Sequence, residues 1–128
     1  MGSVFLIPEI GGGVETYRNL NLKNVPQTVK IGVGKLYGSR YFNQASSSLF
    51  VKFWDALVAD VTVGVTVPKM TIGIPEALGG NVDNLEGFSS VLGIQFRIGI
   101  VVACTTGFAD SDNTAPGDNE MIVNFTYY

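Results

Sequence analysis

Residues 36–43 read LYGSRYFN, residues 44–48 read QASSS and residues 49–55 read LFVKFWD. Two extended segments rich in aromatic residues therefore flank five residues that favour turns. This pattern predicts two β-strands that are joined either as a β-hairpin or as a β-arch. The same rhythm of short apolar segments and polar turns continues to the C-terminus, which indicates an all-β protein.

Strand signals follow one another at short intervals after residue 27. The predicted strands are residues 28–33, 36–43, 48–55, 67–74, 84–89, 92–96, 99–105 and 121–128. In the first of them, Val29, Ile31 and Val33 alternate and are expected on one face, while residues 60–64 form a connection or a short edge strand. Only residues 53–60 are compatible with a single helical turn. The sequence therefore predicts an antiparallel β-sandwich of Greek-key or jelly-roll type.

The N-terminal residues differ from the rest of the chain. Gly11–Gly13 form a flexible break, and Pro26 ends the section. We predict an extended N-terminal arm over residues 1–26, lying on the body or on a neighbouring subunit, and a β-sandwich domain over residues 27–128. A disordered tail is the alternative, but the apolar side chains of Val4–Ile7 would be poorly accommodated in solvent.

The composition points to an assembly. Of the 128 residues, 46% are hydrophobic and only 15% are charged. So few charges cover the surface of a monomer poorly, which favours a surface partly hidden against other proteins. The alternative is a well-packed monomeric sandwich with an exterior rich in Ser, Thr and Asn.

Charge and hydropathy argue against two other classes of partner. The net charge is −3 and the Lys and Arg residues are scattered, so no nucleic-acid partner is expected. No apolar run approaches the ~18 residues that a membrane span needs, so no membrane partner is expected. The N-terminus lacks the basic region of a signal peptide, which predicts synthesis in a cytoplasm without secretion.

The residue types that nucleophilic catalysis needs are missing. The chain has no histidine, which excludes Ser-His-Asp and Cys-His arrangements. The single cysteine, Cys104, lies in the apolar run 99–104 and is predicted to be a buried, unreactive thiol. We therefore predict no enzyme activity and no cofactor.

Carboxylates offer two further hypotheses. The loop Asp110–Glu120 supplies clustered oxygen ligands that suit Ca²⁺, although its acidic and amide residues are also those of ordinary turns, and we predict no metal. A pair of carboxylates could face one another across a cleft as in glycosidases, although each is more simply a loop residue. The candidates for such a pair are Asp55, Asp60, Glu76, Asp83 and Glu86.

A series of short motifs runs through the middle and the end of the chain. The motifs are Leu36–Gly38, Phe42–Ser46, Val51–Asp55, Val63–Pro68, Met70–Pro75, Gly93–Gly107, Asp110–Thr114 and Val123–Tyr128. Over roughly residues 34–128, this series resembles small virion-associated β-sandwich proteins of tailed bacteriophages. Phe42-Asn43-Gln44 and Trp54 depart from the residues commoner in that family, and the first 26 residues have no counterpart.

This resemblance implies a structural role in a virion. A common role in that family is capsid decoration, in which a cement protein, often a homotrimer, binds the major capsid protein on the assembled head shell. We therefore expect a location on the capsid surface of a virion. The alternatives are a tail or fibre module that binds host-surface glycans, and a structural component of the tail or connector.

The arm, the aromatic strand pair and the C-terminal strand are the expected contact regions. Trp54, beside Asp55 at a strand end, is expected to be partly exposed. The predicted interface residues are Val4, Phe5, Leu6, Ile7, Tyr17, Leu20, Leu22, Tyr41, Trp54, Tyr127 and Tyr128.

Overall fold

The structure is a computed structural model that describes residues 13–76 and 93–128, together with the backbone of residues 83–87. Its strands are β1 (Glu15–Asn19), β2 (Gln27–Ile31), β3 (Gly34–Asn43), β4 (Leu49–Asp55), β5 (Met70–Ile74), β6 (Asp83–Gly87), β7 (Ile94–Phe96), β8 (Gly99–Thr105) and β9 (Met121–Tyr127). Within these ranges, the only helical element is a 3-10 turn, Val58–Asp60. The all-β prediction is confirmed.

The strands form two antiparallel sheets. The first sheet has the order β1-β9-β3-β6, with β7 also paired to the start of β3, and the second has the order β2-β8-β4-β5. Four of the pairs are nested, because β1 pairs with β9, β2 with β8, β3 with β6, and β4 with β5. The first half of the chain thus pairs with the second half in reverse order. The predicted antiparallel β-sandwich is confirmed.

The aromatic strand pair is an arch and not a hairpin. Strand β3 lies in the first sheet and β4 in the second, so residues 44–48 cross between the sheets. The buried Asn43 side chain fixes this corner: its Nδ2 donates to the carbonyl oxygens of Ser47, Ile74 and Pro75 at 3.0–3.1 Å. Its Oδ1 accepts the backbone N–H of Ala45 at 2.8 Å. An amide can do both because it carries donor and acceptor groups.

Strand β2 does not keep one apolar face. Val29 is buried, but Ile31 and Val33 are 74% and 65% exposed. Thr28 pairs with Val101 and Lys30 pairs with Ile100. Val29 is therefore an extra residue of β2 that has no paired residue on β8. Such a bulge interrupts the alternation of side chains. The prediction that Val29, Ile31 and Val33 share a face is therefore wrong.

The main core lies between the two sheets, and its centre is aromatic. The Phe125 ring of β9 lies 5.3 Å from Phe53, 5.8 Å from Tyr17 and 5.9 Å from Tyr41, measured between ring centroids. These residues belong to four strands in both sheets. The core extends along the sandwich with aliphatic side chains, among them Leu36, Leu49, Val51, Ile100, Val102 and Val123.

Part of the predicted arm belongs to the sandwich. Strand β1 pairs with β9 from Glu15–Tyr127 to Asn19–Val123. Leu22 is fully buried in the main core, and its backbone N–H donates to Met121 O at 3.0 Å. The sandwich therefore begins well before the boundary predicted at residue 27. Residues 1–12, with Val4–Ile7, lie outside the described residues.

Candidate interaction surface

The outer face of the second sheet is covered by its own loops. Lys52 and Trp54 on β4 alternate with the core residues Val51 and Phe53, so they point away from the first sheet. Trp54 packs with Val61, Val101 and Ala103 in a second, smaller core. The two covering loops, residues 56–69 and 106–116, approach one another where Gly64 lies close to Asn113. The central strands β4 and β8 are thus covered on both faces, whereas Thr71 and Gly73 of the edge strand β5 stay exposed.

Trp54 is part of this second core and is only 1% exposed. Its indole Nε1 donates to Thr66 O at 2.8 Å, so the polar edge of the ring also has a partner inside the chain. The prediction that Trp54 is partly exposed is wrong, because the loop 56–69 folds back across the end of β4.

Lys52 is buried beneath the other covering loop. Its Nζ donates to Ala109 O at 2.7 Å and to Asp112 O at 3.2 Å. Burial disfavours the charged form and holds the pKa of Lys52 below its ordinary value, although Asp112 and Asp110 act in the opposite direction. Lys52 thus ties the loop to the sheet. The sequence carries one signal of this role, namely a single lysine inside the apolar run of residues 49–54.

The acidic loop makes its own turns. Asp112 Oδ1 accepts from the Thr114 hydroxyl at 2.6 Å and from the Thr114 backbone N–H at 2.9 Å, and these bonds lower the pKa of Asp112. Glu120 Oε1 accepts the N–H of Gly117 at 2.8 Å. Asp118 forms an ion pair with Lys23 at 2.8 Å. No group of three or more His, Cys, Asp or Glu residues that could hold a metal ion occurs in the described part of the chain.

Asp55 closes the turn between β7 and β8. Its carboxylate accepts the backbone N–H groups of Arg97, Ile98 and Gly99 at 2.8–3.3 Å. Partial burial of Asp55 acts to raise its pKa, but these three donors, together with the charge of Lys69, hold the pKa below the ordinary value. Asp55 is therefore a structural carboxylate.

The other four candidate carboxylates belong to three separate parts of the chain. Asp60 is exposed on the 3-10 turn and Glu76 follows β5. Asp83 and Glu86 lie on β6, for which the structure describes only the backbone. The hypothesis of a glycosidase pair receives no support from Asp55, whose two oxygens are engaged with backbone donors.

We expect Asp55→Asn to lower the free energy of unfolding at pH 7 by about 1–3 kcal/mol, since charge-assisted bonds to three donors are weakened. The pKa of Asp55 is depressed on folding, so its stabilisation is complete above the unfolded pKa of about 3.9 and is lost as the pH falls through the folded pKa. The free energies of unfolding of the two proteins, measured with urea from pH 7 downward, should therefore converge. Asp60→Asn is the control, expected within about 0.5 kcal/mol of wild type, and a constant gap down to pH 2 would refute the assignment.

Cys104 is buried in the main core, as predicted. Burial raises the pKa of its thiol to about 12, so the nucleophilic thiolate is scarce at neutral pH. Because Cys104 pairs with the buried Val51 of β4 and every residue of β8 is buried, Cys104 serves as a small hydrophobic residue.

The predicted interface residues divide into three groups. Leu22, Tyr41 and Trp54 are at most 1% exposed in the single chain, so they offer almost no surface to a partner. Tyr17 and Tyr127 are partly buried against the main core, while Leu20 and Tyr128 are 46% and 47% exposed. Val4, Phe5, Leu6 and Ile7 lie outside the described residues and stay predictions.

Four exposed apolar side chains lie on neighbouring chain segments at one end of the sandwich, and we call them the end patch: Ile31, Val33, Ile98 and Tyr128. Gly32 N–H donates to Ile98 O at 2.9 Å, which joins the β2–β3 turn to the β7–β8 turn. Tyr128 and Lys35 exchange two backbone hydrogen bonds, both 2.9 Å long.

The end patch was missed at the level of sequence. Each of its residues lies in or beside a short turn or at the last position of the chain, where strand periodicity says little about direction. The signal that existed was the presence of large apolar residues at Ile31, Val33 and Ile98, within turns whose other residues are Gly or charged. Polar residues are the usual choice at such positions.

Further apolar side chains are exposed on the covering loops. Val65, Val67 and Phe108 are each at least 70% exposed, and the Phe108 ring lies 6.2 Å from that of Phe50. Across the described ranges, no helix is long and apolar enough to cross a membrane.

No protein-family model matches the chain, and no match is found among curated proteins or among solved structures.

Proposed function

We propose that the protein is a virion structural protein of a tailed bacteriophage, and that it decorates the head shell as a cement protein. Its partners are the major capsid protein and further copies of itself, arranged as a homotrimer on the capsid surface. It performs no reaction there; its function is to bury surface against other polypeptides.

The observation that carries this proposal is the end patch. Large apolar side chains that gather on the surface of a small protein mark a site of contact with another protein. Here Ile31 and Val33 are more than 60% exposed, although 20 other hydrophobic residues of the described chain are buried in its cores. The low content of charge, 15% of residues, agrees with a surface that is partly covered.

The side chains that could take part in chemistry make structural contacts instead, which also supports a structural role. Cys104 is a core residue with a raised pKa, Lys52 anchors a loop, and Asp55 and Asp112 each accept backbone donors. Each of these groups is used to hold the sandwich together.

The strand order supports the jelly-roll form of the sandwich. Nested pairing of β1 with β9, β2 with β8, β3 with β6 and β4 with β5 is what results when one long antiparallel ribbon is rolled into two facing sheets. Jelly rolls are frequent in viral capsid proteins, although they also occur in lectins and cupins. This support is analogy at the level of the fold.

The proposed mechanism is thermodynamic. A protein that binds the assembled shell, but not its separate subunits, stabilises the assembled state by mass action. A trimer placed on a local three-fold axis repeats each contact three times, so weak contacts add up to firm attachment. The N-terminal segment with Val4–Ile7 and the end patch with Tyr128 are the expected regions of contact with capsid protein or with an adjacent subunit.

Quantitative mass spectrometry of purified particles tests this proposal. We expect hundreds of copies for each particle, in a fixed ratio to the major capsid protein. Three to about a dozen copies would contradict decoration and would indicate the tail or the connector. Selective binding to particular glycans on an array would indicate the adhesin alternative instead.

A further inference from the structure

Strand β1 presents a regular open edge at the side of the first sheet. It is the last strand of that sheet and pairs with β9 on one side only, from Glu15 to Asn19 and without a register shift. Within the described ranges, no backbone hydrogen bond reaches its outer edge. The edge strand β2 is interrupted by its bulge at Val29, and the edge strand β5 is followed directly by Pro75, which lacks a backbone N–H. An uninterrupted edge such as that of β1 offers its N–H and C=O groups to a further strand.

The sequence of β1 is complementary to a second copy of itself. A two-fold axis that passes through Tyr17, perpendicular to the sheet, makes two such strands antiparallel and places Glu15 opposite Asn19. The same axis places Thr16 opposite Arg18, so no like charges oppose one another. An axis through Arg18 sets two arginines face to face, which is destabilising. We propose that β1 pairs with β1 of a second copy about Tyr17, which joins the two first sheets into one continuous sheet.

The side chains on the core-facing side of β1 suit this register. The Tyr17 ring is only partly buried and stacks on Phe125, with ring centroids 5.8 Å apart, so an aromatic neighbour across the axis covers more of it. Asn19 Nδ2 donates to Tyr17 OH at 3.1 Å, and Asn19 Oδ1 accepts the N–H of Asn21 at 2.8 Å. The amide nitrogen carries a second hydrogen, which the carboxylate of Glu15 of the second copy can accept.

The side chains on the opposite face of β1 also match. Thr16 and Arg18 are both exposed in the single chain, and a hydroxyl oxygen accepts hydrogen bonds from a guanidinium. The two-fold axis produces each of these side-chain contacts twice. A strand of unrelated sequence gains the backbone hydrogen bonds but not these contacts, so a second copy is the favoured partner.

The contact goes beyond the proposed function and does not rest on it. It uses the side of the first sheet, whereas the end patch lies at the turns and the last residue of the described strands. A β1 pair therefore leaves the end patch available to another protein. A two-fold contact does not close a trimer, so on a shell it joins copies that belong to neighbouring trimers.

Disulfide trapping tests both the contact and its register. Thr16→Cys and Arg18→Cys are prepared as separate full-length proteins, mixed in equal amounts at high micromolar concentration and oxidised mildly. In the proposed register, the Cα atoms of residues 16 and 18 of the two copies lie about 4.5–5.5 Å apart, which a disulfide spans. Two copies of residue 16 lie roughly 8 Å apart, beyond the reach of a disulfide. The buried Cys104 does not compete for oxidation.

We expect the mixed 16–18 disulfide to make up about nine tenths of the cross-linked dimers, whereas random collision gives about half. Mass spectrometry of the dimer band measures this share. The matched control mixes Thr16→Cys with Asn124→Cys, an exposed position on the neighbouring strand β9, and should give no excess of the mixed product. A random share of the 16–18 product, or no cross-linked dimer, would overturn the proposal.

Charge substitution gives a second readout. Asn19→Glu places a carboxylate opposite Glu15 of the second copy at two symmetric positions, so we expect dimers about tenfold weaker in sedimentation equilibrium. Adding Glu15→Lys restores opposite charges and should recover the affinity. Both variants lose the same Asn19 bonds within the chain, so the difference between them reports the contact alone, once circular dichroism shows that both are folded. Equal affinities of the two variants, or a wild-type protein that stays monomeric at the highest concentration, would refute the pairing.

Discussion

Trp54→Ala is expected to lower the free energy of unfolding by about 3–5 kcal/mol, the range for truncating a large aromatic side chain in a core. Trp54 is 1% exposed, packs with Val61, Val101 and Ala103, and donates to Thr66 O. The substitution leaves a cavity and an unpartnered carbonyl under the loop 56–69. Chemical denaturation monitored by circular dichroism measures the loss.

The matched control for this prediction is Phe108→Ala. Phe108 is also a large aromatic residue of the outer side of the second sheet, but it is 72% exposed. We expect its substitution to change the free energy of unfolding by less than about 0.5 kcal/mol. If Trp54→Ala had as small an effect and instead weakened association with a partner, Trp54 would be a contact residue and the second core would be incorrectly assigned.

Two N-terminal deletions are expected to affect stability very differently, because the two parts of the predicted arm contribute differently to the fold. Removal of residues 2–12 should leave a folded protein, because β1 and all core residues of the described chain remain. Removal of residues 2–25 should abolish the cooperative unfolding transition. That deletion removes the five residue pairs between β1 and β9 together with the fully buried Leu22. Losing Leu22 alone costs about 2–5 kcal/mol, a large part of a typical stability of 5–15 kcal/mol.

Calorimetry on both deletion variants makes the comparison, with Leu22→Ala in the full chain as the intermediate case. A stable, cooperatively unfolding protein without residues 2–25 would contradict the placement of β1 and Leu22 in the sandwich. Such a result would support the boundary between arm and domain that the sequence predicts at residue 27.

Strands with a partner strand on each side could be predicted closely in the cases of β8 and β9. Strand β8 spans Gly99–Thr105, as predicted, because every one of its residues is buried and the run is continuously apolar. Strand β9 keeps the alternation of buried Met121, Val123 and Phe125 with more exposed neighbours, which the sequence displays directly. The choice between hairpin and arch for β3 and β4 could not be made, because both connections use the same turn residues.

The surface could not be predicted, for reasons of long-range structure. Trp54 and Lys52 alternate with core residues just as exposed residues would, and they are buried only because loops distant in sequence fold over them. Ile31 points outward because of a bulge in β2 that no residue type in the sequence indicates. Strand β1 is an edge strand with one partner, so its residues carry a weaker pattern than those of a central strand.

Capsid decoration is tested most directly by the binding of the purified protein to assembled head shells and, at equal subunit concentration, to unassembled capsid protein. Co-sedimentation with the shells and size-exclusion chromatography with the free subunits measure the two affinities. We expect saturable binding to the shells and at least tenfold weaker binding to the free subunits, because only the shell presents several sites at once. Equal binding to both forms, or no binding to shells, would contradict it.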